Sequence, residues 1–281
     1  MDNLRLKSSY KPFQPDLEQK CIVNRFKVQK NDILYGKIWD MYEYEISSSR
    51  IDSITILPDG LIELLFNFSD SNVNSYFALA STETKSVNIN RSGKGFGIKF
   101  VPGWLGQIQH APLSRSRHTQ DSITYIESAE IIADFDSLFQ QIISTESFEE
   151  RVHHCRNFFG GIDIIENHQS ELARQACLYL INHNGIKTIG DLESYMGYGS
   201  RYIRKLFDDY IGYSPKKMNE IIKFQHSFYH YYIDPARSLS DLACEFGYYD
   251  LSHMNRAYTK FSQKLPKMLY KNLFVSNKGI L

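Results

Sequence analysis

The C-terminal part of the chain carries apolar residues at three- and four-residue steps, the spacing of amphipathic helices. One short pattern occurs there twice, about fifty residues apart. In each copy an N-cap residue, Thr188 or Ser238, precedes two helical turns, and Gly197 or Gly247 then allows the chain to turn. A second amphipathic helix follows each glycine. The repeat predicts two helix-turn-helix units in tandem.

A long helix is predicted between the two units. It begins at Ser214 and Pro215, an N-cap followed by a proline in the first helical position, and runs to about Tyr232. Asp234 and Pro235 then end it. Another helix is predicted upstream, over residues 171–182.

The N-terminal part alternates short apolar runs with turn residues, which is typical of strands. Strands are predicted at 51–57, 61–68 and 97–101, and loops at 69–74 and 81–92. From about residue 121 the pattern becomes helical, with helices predicted over 131–143 and 147–159. The expected fold class is α+β: a β-rich, barrel-like domain, a helical segment, and an all-α domain with two helix-turn-helix units joined by a long helix. The predicted bounds are 1–120, 121–165 and 168–281.

Charge is distributed unevenly along a chain of zero net charge. Residues 171–281 contain 15 Lys and Arg against 10 Asp and Glu, so the first 170 residues carry the opposite excess. A basic C-terminal part suits contact with nucleic acid. The sequence shows neither a secretory signal nor an apolar run long enough for a membrane span, so we expect a cytoplasmic protein without membrane contact.

The second helix of each unit combines an apolar face with a polar one. Arginine and lysine suit guanine edges, asparagine suits adenine, and serine suits several groups, so these faces have the chemistry of base reading in double-stranded DNA. The polar faces consist of Arg201, Arg204 and Lys205 in the first unit and Ser252, Asn255 and Arg256 in the second.

Further residues form a specific signature around these helices. They are Leu206-Phe207 with Gly212-Tyr-Ser-Pro215 after the first unit, and Leu242-Ala-Cys-Glu-Phe-Gly247-Tyr-Tyr-Asp250-Leu-Ser-His253 in the second. On these residues the chain resembles the AraC/XylS family of bacterial transcription regulators over about residues 171–270. The resemblance implies a DNA-binding transcription regulator that works with RNA polymerase and places the same six polar residues against the bases. We expect an activator, and repression stays open as the alternative.

Two further stretches are Leu57-Pro-Asp-Gly-Leu-Ile-Glu-Leu-Leu-Phe66 and Gly95-Phe-Gly-Ile-Lys-Phe-Val-Pro-Gly103. On these residues the N-terminal part resembles, more weakly, a sensor-type domain that precedes this DNA-binding domain in some members. The resemblance implies a small-molecule effector. Closed sheets point alternate side chains inward, which makes Glu63, Phe66, Tyr76, Lys99 and Phe100 candidates for effector binding. Residues 1–109 contain no histidine, and no metal, cofactor or catalytic residue is predicted.

Two other interpretations stay open. The β-rich domain could be a small-molecule-binding or modifying enzyme that keeps a DNA-binding tail, although no cluster of catalytic residues supports it. Alternatively, the chain could be an interaction protein that no longer binds DNA. A homodimer is also predicted, through an apolar stripe on residues 130–159 that includes Phe135, Leu138, Phe139 and Ile142.

Overall fold

A computed structural model gives the fold of the chain. It describes residues 10–47, 51, 53–69, 72–88, 93–108, 118–120, 123–132, 134–162 and 167–274. Within this part, an N-terminal sheet half is followed by a helical half.

The sheet half is built on seven antiparallel strands in the order β1-β2-β7-β4-β5-β9-β8. A separate two-stranded sheet pairs β3 with β6. Among the described residues, β1 and β8 stand at the two ends of the main sheet, so it is open where a closed, barrel-like sheet was expected. The strands are Cys21–Lys27, Ile38–Ile46, Ser53–Ile56, Glu63–Ser69, Asn72–Ala78, Lys85–Asn88, Lys94–Phe100, His118–Gln120 and Ile123–Glu127, numbered β1 to β9.

One face of the main sheet packs against two helices. Alternate residues of β4 and β7, such as Phe66 and Phe100, are fully buried in this core. The helices α3 (Phe135–Ser144) and α4 (Phe148–Gly161) contribute Leu138 and Phe159 to it. The apolar stripe of α3 that was expected to support a dimer therefore covers the sheet.

The opposite face of the sheet is more polar. Helix α1 (Pro15–Lys20) and the β3–β6 pair cover it with Leu17 and Ile54. Gly97 of β7 allows the ring of Tyr42 to lie across the strand, because a Cβ at Gly97 would stand 2.6 Å from that ring.

The helical half contains α5 to α11, and α2 (Ser128–Ile131) belongs to the sheet half. Helix α6 packs on α7, and α9 packs on α10; we call these the first and second helix pairs. The long helix α8 connects them. The bounds are His168–Asn182, Ile189–Met196, Ser200–Tyr210, Pro215–Ile233, Leu239–Glu245, Leu251–Ser262 and Pro266–Phe274 for α5 to α11.

Three local predictions were wrong, and all three concern strands. Strand β5 begins at Asn72, inside a predicted loop, and β6 lies inside the second predicted loop. Strand β9 occupies residues predicted to be helical. Strands β6 and β9 each pair with a strand distant in the sequence, and the start of β5 pairs with β4 in a hairpin. These pairings outweigh the local composition. The division of the chain into three domains stays a prediction.

Candidate nucleic-acid interface

In the first helix pair, local hydrogen bonds define both ends of α6. The Thr188 hydroxyl accepts the backbone N–H of Asp191, and the Asp191 carboxylate accepts the backbone N–H of Thr188. This reciprocal capping box satisfies two N–H groups that a helix start leaves free. Gly197 ends α6 with a φ of +72°, a left-handed conformation that glycine adopts without steric cost.

The second helix pair uses related signals. Ser238 accepts the N–H of Asp241 at the start of α9, and Gly247 follows α9 with a φ of +68°. Helix α10 is capped by Asp250, whose carboxylate accepts the N–H of His253 at 2.6 Å. The corresponding cap of α7 is Gly199, which provides no side-chain hydrogen bond.

Five of the six predicted DNA-contacting side chains are exposed on α7 and α10, and Asn255 is half-buried. None of the four cations among them forms an ion pair with another residue that the structure describes. Charged groups that are neither paired nor buried are available to an anionic partner. The exposed residues are Arg201, Arg204, Lys205, Ser252 and Arg256.

Buried apolar side chains fix the orientation of both polar faces. In α7, Ile203 and Phe207 are fully buried against α5 and α6. In α10, Met254 and Tyr258 are fully buried against α8 and α9. The Tyr258 hydroxyl lies 3.0 Å from Ser227 Oγ of α8. Because the apolar face of each helix is buried, the polar faces of α7 and α10 must point outward.

Hydrogen bonds join the connector helix α8 to the sheet half. Gln225 donates to the Pro58 carbonyl at 2.9 Å and accepts the N–H of Phe13 at 2.9 Å. Tyr213, just before α8, donates to the Gly60 carbonyl at 2.7 Å. Phe13 also packs on the rings of three aromatic residues of α8, namely Phe228, Tyr229 and Tyr232. The segment at residues 10–14 was not singled out in the sequence, which gave no periodic signal there.

The five residues predicted to bind an effector lie on two different faces of the sheet. Phe66 and Phe100 are buried against α3 and α4. Glu63 and Lys99 are cross-strand neighbours on the opposite face. By strand alternation the half-buried Tyr76 lies on that second face too. The structure therefore brings Glu63, Lys99 and Tyr76 to one face and separates them from the two phenylalanines.

Ionisable groups on the second face are closely coupled. Lys99 forms an ion pair of 2.6 Å with Asp59. Burial raises the pKa of Glu63 to about 7, although Lys99 and a hydrogen bond from Tyr42 both act to lower it. Burial alone would lower the pKa of Lys99, but Asp59 and Glu63 raise it above its ordinary value. The buried Oε1 of Glu63 has no hydrogen-bond partner within the described part of the chain.

No group of three or more His, Cys, Asp or Glu side chains among the described residues is arranged to hold a metal ion. None of the helices described has both the length and the apolar character needed to cross a membrane.

Comparison with known proteins gives structural similarities alone. The sequence matches no family model, and it matches no curated protein. Among solved structures, the chain is similar to ToxT from Vibrio cholerae strain SCE256 bound to an unsaturated fatty acid, with 12% identity, 91% of this chain and 96% of that chain covered, and a TM-score of 0.37. ToxT from Vibrio cholerae O395 gives 10% identity, 91% and 97% coverage, and a TM-score of 0.38. At these values the similarity assigns neither a family nor a function to the chain.

Proposed function

We propose that the chain is a sequence-specific DNA-binding transcription regulator of the AraC type. In this proposal the two helix pairs are helix-turn-helix units, and α7 and α10 enter successive stretches of the major groove. The single observation that carries the proposal is that α7 and α10 each turn a polar face outward. The apolar face of each helix is buried in a core, and the cations of the polar faces form no ion pair with another described residue. The contacting residues are Arg201, Arg204, Lys205, Ser252, Asn255 and Arg256.

The most direct experiment selects binding sites for the full-length chain from random double-stranded DNA. A shared motif with two separated half-sites is the expected result, because two reading helices act on one duplex. Binding should weaken steeply with salt, since arginine and lysine displace counterions from phosphates. A chain that is folded by circular dichroism but enriches no motif would contradict the proposal.

Control by a small molecule is a second part of the proposal. What supports it is the polar face with Glu63, Lys99 and Tyr76, where a buried carboxylate oxygen lacks a partner among the described residues. The contacts of Gln225 and Tyr213 would transmit a change in the sheet half to α8. A ligand that binds the folded chain raises its melting temperature by mass action. A metabolite screen should therefore yield a thermal shift in the wild type that Glu63→Gln reduces; a shift of the same size in both would place the ligand elsewhere.

Self-association and contact with RNA polymerase extend this proposal. Sedimentation of the full-length chain with and without its selected DNA tests self-association. Because Phe135, Leu138 and Ile142 are buried against the sheet, a dimer through residues 130–159 would have to use the exposed side chains of this segment.

A further inference from the structure

One turn of α8 contacts both helix pairs. Asn219 Nδ2 donates to the carbonyl oxygen of Lys187 at 2.9 Å, directly before the cap of α6. Lys223 Nζ donates to the carbonyl oxygen of Gly247 at 3.0 Å, between α9 and α10. Asn219 and Lys223 are four residues apart and therefore lie on the same side of α8. One side of α8 thus contacts both the residue that precedes the first pair and the turn of the second pair.

The chain before the first pair lies directly on the backbone of α8. Gly185 has a φ of +69°, and a Cβ there would stand 2.5 Å from the Asn219 carbonyl oxygen and 2.8 Å from the Lys223 backbone nitrogen. Both distances are shorter than a carbon atom tolerates against backbone atoms. Only glycine permits this approach, so the position of the first pair on α8 is closely defined.

The segment directly before the first pair also lies close to the turn of the second pair. Ile186 Cγ2 lies 3.2 Å from the position that a Cβ of Gly247 would occupy. Lys223 Nζ lies 5.4 Å from the ring centroid of Tyr248, a cation–π contact that adds to its hydrogen bond. We call Gly185, Ile186, Asn219, Lys223 and Gly247 the spacing clamp.

We propose that the spacing clamp sets the distance and rotation between α7 and α10, and so selects the number of base pairs between the two half-sites. This inference rests on the proposed function. Inserting one base pair moves a half-site by about 3.4 Å and rotates it by about 34°. Two reading helices fixed on one connector cannot follow that change, whereas two loosely joined helices can. Asn219 and Lys223 are positioning residues in this account, because they hold the helix pairs and not the DNA.

The test compares operator spacing profiles of full-length proteins. The variant combines Asn219→Ala with Lys223→Met, which keeps most of the lysine stem while removing both clamp hydrogen bonds. Binding is measured to the site selected by the wild type and to the same site with one base pair added or removed between the half-sites. The wild type should lose at least about tenfold in affinity on the altered sites, and the variant less than about threefold.

Lys216→Met is the matched control, because Lys216 is an exposed cation in the first turn of the same helix. Loss of that charge should weaken binding to every duplex by a similar factor and leave the spacing profile as steep as in the wild type. Thermal unfolding of each protein shows whether a flat profile arises from partial unfolding.

A second measurement needs no DNA. Spin labels are attached at Asp208→Cys on α7 and Thr259→Cys on α10, both exposed, in a Cys244→Ser background that removes the exposed thiol. The distance distribution between labels should be narrow in the wild type and broader in the clamp variant. If the wild type and the clamp variant show equally steep spacing profiles and equal distance distributions, the spacing clamp is overturned and the proposed function stands. A wild type that prefers no DNA site would overturn both.

Discussion

The charged residues of the two halves differ in where they lie and what they contact. In the sheet half, Lys99 and Arg151 are buried and hydrogen-bonded: Lys99 pairs with Asp59, and Arg151 pairs with Glu43 and lies over the ring of Phe68. In the helical half, four cations of α7 and α10 are exposed, without an ion pair to any described residue: Arg201, Arg204, Lys205 and Arg256.

This difference separates structural charges from functional ones. Removing one partner of a buried pair leaves an uncompensated charge in the interior, which is strongly destabilising. An exposed arginine contributes little to stability, so it can be replaced with little effect on folding and remains available for binding. The buried Lys99 and Arg151 thus serve folding, whereas the exposed cations Arg201, Arg204, Lys205 and Arg256 are the ones that our proposal assigns to DNA.

The largest expected effect is on the stability of the sheet half. Lys99→Met should lower the free energy of unfolding by about 3–5 kcal/mol, because Asp59 and Glu63 then remain buried without their cation. Arg204→Met removes the same charge from an exposed helix and should change it by less than about 0.5 kcal/mol. Urea denaturation of the full-length proteins measures both. If the two variants lose similar amounts of unfolding free energy, the charges of the two halves do not differ in their contribution to stability.

The next effect is a pH dependence of stability that Glu63 in the sheet half should produce. The pKa of Glu63 is about 7 in the folded chain and about 4.5 in the unfolded chain. Between these values the folded state binds more protons than the unfolded state, so the stability contributed by Glu63 falls as pH rises. Relative to Glu63→Gln, the wild type should lose on the order of 1–3 kcal/mol between pH 4.5 and 7.

Comparing the two proteins also removes the contribution of His226. Burial, followed by the neighbouring His230, lowers the pKa of His226 to about 4. This histidine therefore makes the chain more stable as pH rises from 4 to 6.5, opposite in sign to Glu63. Since His226 is present in both proteins, the difference in unfolding free energy isolates Glu63. A difference that does not vary with pH would contradict the pKa shift.

The smallest effect concerns the end of α10. Gln263 caps this helix with a φ of +57°, in the left-handed region that costs a non-glycine residue energy. Gln263→Gly should raise the free energy of unfolding by about 0.5–1 kcal/mol. Gln263→Ala is the control, because it shortens the side chain without relieving the backbone. Equal stability of the two variants in urea would show that the backbone at this position carries no strain.

The helical half followed closely from the sequence because its signals are local. The caps Thr188 and Ser238, the turns at Gly197 and Gly247, and the start of α8 at Pro215 are all confirmed. Each depends on contacts within four residues. Periodicity also predicted which sides of α7 and α10 are buried, since one apolar face must cover the core.

The sheet half was harder to predict because its contacts join distant segments. Strand β6 is largely polar, and it forms a strand because it pairs with β3 some thirty residues earlier. Glu63 and Lys99 were both singled out, but their pairing depends on the register of β4 against β7. A shift of one residue would move each to the other face. No local pattern encodes that register.

The central claim is that α7 and α10 read base sequence, and the most direct measurement separates reading from simple attraction. Arg204→Ala and Arg256→Ala are each compared with the wild type on the selected site and on random duplex DNA of equal length. We expect a loss of about 1–3 kcal/mol on the selected site, a smaller loss on random DNA, and relaxed preference at one or two base pairs. Equal losses on both duplexes would contradict the claim and show that these arginines contact only the phosphate backbone.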